Sequence, residues 1–264
     1  MPHSHFEKTK HLLTNRSDLL RILLESEYTR RDLKEQVEFS ESTLDRSLRE
    51  LEDTRLIEYN NGAWRLTYFG RIAIHEHEKF RKHLKDIVAV SRTIDLIPPD
   101  SPLSHEFITG CRSINADPEA PDQLLDEVFT KIRHARSIQC VVTKIMVNSI
   151  DPFCEAVTAT DSYEVELVFS SKSFDILYEY DPKKVSKAVY DEDISIFTGN
   201  IPFSFSLWIT DERQAGVVIY TETGVRGVIL NDTKSAVDWA TSQHKQIKRE
   251  SNQVILRSRP TTVA

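Results

Sequence analysis

Between residues 17 and 51 the apolar positions recur at helical spacing. "DLLRILLES" brings Leu19, Leu20, Ile22, Leu23 and Leu24 into one segment, Leu33 and Val37 lie four apart in a second, and Leu44, Leu48 and Leu51 follow four and three apart in a third. Each segment has one apolar stripe and one polar face. Thr29 followed by Asp32, and Ser42 followed by Asp45, fit the helix-start pattern in which a hydroxyl caps free N–H groups. Between them Glu38-Phe39-Ser40 is long enough only for a tight turn, so the pattern predicts helix, turn, helix, with the last helix beginning near Ser40 or Glu41. "LIEYNNGAWRLT" then predicts two short strands around an Asn-Gly turn, a hairpin. A plain helical hairpin with a surface ribbon would account for any one of these signals; their order predicts a winged helix-turn-helix. Trp64 is expected to anchor the ribbon to the helices.

From Tyr68 to Thr93 there is no proline, and Phe69, Ala73, Phe80, Leu84, Ile87, Val88 and Ile94 line one face of a long predicted helix. Two readings stand for that face: packing within its own domain, or meeting its twin across a two-fold axis. "DLIPPDSPLS", with three prolines in ten residues, ends the helix and marks a boundary. Beyond it "DQLLDEVFTKIRHA", "NSIDPFCEAVTA" and "SFDILYEYDPKKVSKAV" read as helices. "SIQCVVTKI", "YEVELVFS", "ISIFTG", "FSFSLWITD", "AGVVIYTE" and "VRGVILN" read as strands, and a last helix runs from about Lys234 to Ser251. The fold class is α/β in two domains, the second with a mixed sheet. The expected division is 1–95, a linker at 96–104, an effector and dimerisation domain at 105–251, and a tail at 252–264.

The charge of −7 is unevenly spread. Residues 1–95 hold 17 basic and 17 acidic side chains, so the whole excess falls on the remainder. The neutral part still gathers Arg30, Arg31, Arg46, Arg49, Arg65 and Arg71 in its winged-helix elements. Hydrophobic content of 39% suffices for packed cores, no run of eighteen apolar residues exists, and the first residues carry no apolar signal core. A cytoplasmic protein without membrane contact is expected. Cys111, Cys140 and Cys154 form no closely spaced pair and read as small buried hydrophobes. His75 and His77 are two apart on a helix and diverge, so "HEH" reads as a solvated patch, and no cofactor or metal is expected. No GxSxG, GxGxxG, Walker A or HExxH motif occurs.

"STLDRSLRELEDTRLIE", the hairpin and "LTYFGRIA" resemble the winged-helix domain of archaeal transcription regulators over about residues 10–95. The order of elements after residue 105, with "FSFSLWITDERQAGVVIYTETGVRGVILND", resembles the C-terminal domain of FilR-type archaeal regulators, whose fold is expected to relate to phospholipase D-like effector domains. Phospholipase D chemistry needs a His and a Lys two apart; His105, His134 and His244 lack that lysine. The resemblance implies a transcription regulator, not an enzyme, that binds double-stranded DNA as a homodimer. Ser42, Thr43 and Arg46 would read bases, while Arg30, Arg31, Arg49 and Arg65 would hold phosphates; Ser40 opens the reading helix and Asn61 tips the wing. Without DNA specificity the same domain would serve as a protein-interaction module. At strand ends Thr143 and Lys144, and Ser170, Ser171, Lys172 and Ser173, read as a site for a small anionic metabolite, the serines equally as helix caps.

Overall fold

The computed structural model describes residues 2–117, 119, 123–157, 164–222 and 224–255. They form two compact units, one up to Leu84 and one from Lys85, so the division falls inside the long helix and the proline-rich segment lies within the second unit.

In the first unit α1 (Pro2–Asn15) precedes α2 (Ser17–Glu25), α3 (Arg30–Gln36) and α4 (Glu41–Asp53). The pattern did not predict α1. Thr29 and Asp32 form a reciprocal capping box on α3. For α4 the expected Ser42–Asp45 start is displaced by two residues: Ser40 is the cap, its hydroxyl accepting from Thr43 N at 3.2 Å. The turn residues fix this choice, because Ser40 keeps the extended backbone that a cap needs while Ser42 is already helical. The apolar stripes close on a core that includes Leu19, Leu20, Leu33, Leu44, Leu48 and Leu51.

Strands β1 (Ile57–Asn60) and β2 (Ala63–Leu66) pair antiparallel, Asn60 opposite Ala63. Asn61 and Gly62 have φ of 49° and 86°, as a type I′ turn requires. Trp64 anchors the ribbon: it packs on the core, exchanges two backbone hydrogen bonds with Tyr28 (2.8 and 3.1 Å), and its ring lies 5.0 Å from that of Tyr59. Helix α5 spans Tyr68–Ile94. Its buried residues are Gly70, Ile74, Val90 and Thr93; Phe69, Phe80, Leu84, Ile87 and Val88 of the predicted stripe stay exposed.

The second unit adds α6 (His105–Ile108), β3 (Arg112–Asn115), α7 (Gln123–Arg133), β4 (Ser137–Val142), α8 (Ile150–Val157) and β5 (Glu164–Ser170). There follow α9 (Ser171–Tyr180), α10 (Pro182–Val189), β6 (Ile194–Gly199), β7 (Ser206–Thr210), β8 (Gln214–Tyr220), β9 (Val225–Asn231), α11 (Lys234–Arg249) and β10 (Asn252–Gln253). The sheet order is β10-β6-β5-β4-β7-β8-β9-β3, parallel from β6 through β5 to β4 and antiparallel elsewhere. The mixed sheet is as the pattern predicts. Alternation sends Cys140, Phe169, Trp208 and Val218 to one face, covered by α7 to α10, and Val141, Val168, Leu207 and Val217 to the other, covered by α6 and α11. "SFDILYEYDPKKVSKAV" is two helices, because Asp181 caps a new start with Pro182 at its first position. The end of "NSIDPFCEAVTA", and the tail from residue 256 onward, lie outside the described residues.

Candidate nucleic-acid interface and effector pocket

The outward face of α4 carries Ser42, Arg46 and Arg49, all exposed, with Thr43 half-buried. Thr43 Oγ1 and Ser42 Oγ lie 2.8 and 3.1 Å from Ser40 Oγ, so the three hydroxyls form one cluster at the helix start. The arginines differ in what they have left to offer. Arg30 donates from Nε and Nη2 to both carboxylate oxygens of Asp45, at 2.6 and 3.0 Å, and from Nη2 to Glu41 at 3.3 Å. That fork is spent. The guanidinium in turn holds the Asp45 carboxyl below its usual range. Arg65 donates to Glu58 at 2.7 Å and Glu27 at 3.4 Å. Arg31 lies 3.6 Å from Glu35 and remains 89% exposed, and Arg49 donates to Asp45 O at 3.3 Å. Arg46 gives only Nε, to Glu50 at 2.8 Å, which leaves its terminal nitrogens uncommitted on a side chain 74% exposed. Glu50 also accepts from Arg16 at 3.3 Å, and Arg46 first, then Arg16, keep its carboxyl below the usual range.

This face is therefore largely neutralised by its own carboxylates. Sequence reasoning named the arginines and missed the acids that hold them; the signal was present in the i, i+4 spacing of Arg46 with Glu50 and Arg31 with Glu35. Asn61 sits exposed at the wing tip.

In the second unit Ser170 and Ser173 are turned inward. Both hydroxyls donate to Thr143 O, at 3.1 and 2.8 Å, and Ser170 caps α9 by accepting from Ser173 N. Thr143 N donates to Ser206 Oγ at 3.1 Å. Ser171 and Lys172 are exposed on the first turn of α9. Lys144 is apart from them: its Nζ donates to the carbonyls of Thr221 and Glu222 at 2.8 and 2.7 Å. It stands at an apolar cavity of about 70 Å³ between α7, α8 and the ends of β4, β7 and β8. A larger hollow of about 640 Å³ beside α8 and α10 is lined by Asp151, Glu155, Asp181, Asp191 and Asp193 against Lys184 and Lys187, so acids outnumber bases there and Lys184 is paired with Asp151.

Burial pushes the thiols up, Cys140 to about 12 and Cys111 to about 11, so neither supplies thiolate at neutral pH. His244 is fully buried on α11, with neither ring nitrogen hydrogen-bonded. Desolvation lowers it to about 4 despite the Glu166 carboxylate 3.8 Å away, with Lys248 and Lys245 adding to the fall. The unfolded chain takes up this proton near 6.5 and the native one only near 4. Between those values the unfolded state binds more protons, so stability is lost as pH falls from about 6.5 to about 4. The unfolding midpoint of the full chain should drop across that window and His244→Leu should flatten the drop; an unchanged slope in the variant would rule out His244 as its source. Among the described residues no group of three or more His, Cys, Asp or Glu side chains is placed to hold a metal ion, and no helix is long and apolar enough to cross a membrane.

A trihelical core presenting α4, a hairpin wing, and a sheet domain with helices on both faces define a two-domain winged-helix protein. Residues 8–87 match the family described as the HVO_A0261 N-terminal domain. Residues 121–250 match the one described as methanogenesis regulatory protein FilR1, middle domain. By these matches the first unit carries an HVO_A0261-type N-terminal domain and the second a FilR1-type middle domain. No curated protein sequence matches it. Among solved structures it is similar to TrmBL2, an archaeal chromatin protein, at 12% identity, 89% of this chain, 92% of that one and a TM-score of 0.41. It is also similar to Nuc, a phospholipase D family member from Salmonella typhimurium, at 12% identity, 55% of this chain, 98% of that one and a TM-score of 0.41. The dimethyltransferase RosA from Streptomyces davawensis is similar at 14% identity, 75% of this chain, 64% of that one and a TM-score of 0.25.

Proposed function

We propose that the protein regulates transcription by binding double-stranded DNA at specific sites as a homodimer, with the C-terminal domain as sensor for a small anionic metabolite. The observation that carries the DNA reading is the exposed face of α4, where Arg46 presents an unspent guanidinium fork, the donor geometry that grips guanine in the major groove. Ser42 and Thr43 would read bases beside it; Arg31, Arg49 and Arg65 would contribute phosphate contacts, and Arg30 would do so once Asp45 is displaced. The test is a mobility shift of the purified protein on its own upstream DNA, with random competitor, at two salt concentrations. Competitor-resistant binding whose log affinity falls linearly with log salt is expected. Salt-insensitive or non-selective binding would replace this reading with that of a protein-interaction module.

Homodimerisation is supported by Phe80, Leu84, Ile87 and Val88, apolar side chains that α5 leaves between 43% and 63% exposed. Two charges in this stripe should break a two-fold interface. The double variant Leu84→Glu, Val88→Glu is expected to run as a monomer in sedimentation where the wild type runs as a dimer. A wild type that is monomeric at micromolar concentration would remove the dimer.

A further inference from the structure

The apolar cavity behind Lys144 has the makings of a ligand site distinct from the serines at the start of α9. It opens where β4 ends, between α7, α8 and the face of the sheet, and among its lining residues Lys144 is the only charged side chain. Two features of its lining are chemically unfinished. The first is the indole of Trp208, 3% exposed, whose Nε1–H has no hydrogen-bond partner. A buried donor left unpaired costs about 1–3 kcal/mol, so this N–H stands ready to gain from any acceptor brought to it. The fold commits to keeping the indole there: a Cβ at Gly216 on β8 would come within 2.3 to 2.5 Å of its ring atoms.

The second is Lys144 itself. The carbonyls of Thr221 and Glu222 fix its ammonium and the Tyr220 ring lies 5.9 Å away, but among the described residues no carboxylate pairs with it. Its position is fixed and its charge is not neutralised. By contrast, the other polar groups nearby are satisfied: Tyr220 donates to Ser206 Oγ at 2.9 Å, and Ser149 donates to Met146 O at 2.8 Å. An occupant needs a negative head for Lys144, an acceptor for Trp208, and an apolar body.

Size narrows the class. A cavity of about 70 Å³ is half of the ~150 Å³ that admits benzene, so the enclosed part takes only about three or four carbon atoms. Nucleotides and sugar phosphates are excluded on volume and on the apolar lining.

We infer that this cavity binds a short organic acid carrying a carbonyl acceptor on its chain, its carboxylate on Lys144 and its carbonyl on the Trp208 N–H. This rests on the sensory reading of the C-terminal domain and supplies the ligand class for it. The test is calorimetric titration of the full chain with levulinate, which has both groups, valerate, which lacks the inner carbonyl, and valeramide, which lacks the charge. The expected order is levulinate tightest, valerate weaker and valeramide weakest. Lys144→Gln, which keeps a donor for the two carbonyls, should lose roughly tenfold in levulinate affinity and all preference for valerate over valeramide. Trp208→Phe should remove the preference for levulinate over valerate; thermal unfolding of each variant checks that it is folded. Failure of all three probes to bind the wild type, or binding untouched by Lys144→Gln in a folded variant, overturns the site. Binding that follows the expected order but leaves DNA affinity unchanged upholds the site and overturns its sensory role.

Discussion

Gly70→Ala is expected to destabilise the winged-helix unit by about 3 kcal/mol or more, at the upper end of overpacking penalties. The first turn of α5 runs so close to the chain joining α4 to β1 that a Cβ at position 70 would lie 1.8 Å from Leu56 O and 2.7 Å from Leu56 C. A clash with a side chain can be relieved by a rotamer change; this one is with backbone, and that backbone is pinned. Thr67 N donates to Leu56 O at 3.1 Å, Thr67 Oγ1 donates to Arg55 O at 2.6 Å, and Gly70 N donates back to Thr67 Oγ1 at 2.9 Å. Leu56 is also fully buried, so retreat would open the leucine core. Urea unfolding of the full chain is the measurement, with Gly62→Ala as contrast: there a Cβ meets nothing and only the positive φ of 86° is penalised, by about 1 kcal/mol. A Gly70→Ala loss no larger than that of Gly62→Ala would show that α5 can shift, and would remove the close approach as a constraint.

The same glycine shows where the sequence stops being legible. That Gly70 is the only glycine of the long helix is visible in the chain; that a neighbouring backbone presses on it is a tertiary fact with no local pattern. Features set by contacts three or four residues apart were readable: the Thr29–Asp32 box, the Asn61-Gly62 turn, the stripes that became the trihelical core. Short elements stabilised only by distant partners were not. α6 is four residues long, and its Phe107 carbonyl takes a hydrogen bond from Asn231, 124 positions away. β3 owes its pairing to β9 at the far end of the domain. The site divides the same way. Lys144 was singled out as a candidate from its place at a strand end, whereas Trp208 and the cavity walls are gathered from α7, α8, β4, β7 and β8, and no local pattern announces an unpaired indole N–H.

Arg46→Ala is expected to weaken binding to the specific site by about 1–3 kcal/mol while leaving competitor DNA nearly unaffected. The reason lies in how Glu50 holds it. An exposed i, i+4 pair contributes only about 0.3–0.5 kcal/mol, so Glu50 cannot outbid a guanine for the whole guanidinium. With only Nε engaged it does not have to, since the terminal nitrogens are free and the carboxylate restricts the side chain in the bargain. Glu50 is a positioning residue in this account, steadied by its second partner Arg16. Glu50→Ala should therefore cost less than Arg46→Ala, on the order of 0.5 kcal/mol, and the double variant should lose no more than Arg46→Ala alone, because Glu50 acts on DNA through Arg46. Operator titrations of the two single variants and the double variant decide it. If the two losses simply add, Glu50 acts on DNA independently, and if Arg46→Ala keeps full discrimination against competitor, base reading on α4 belongs to Ser42 and Thr43 instead.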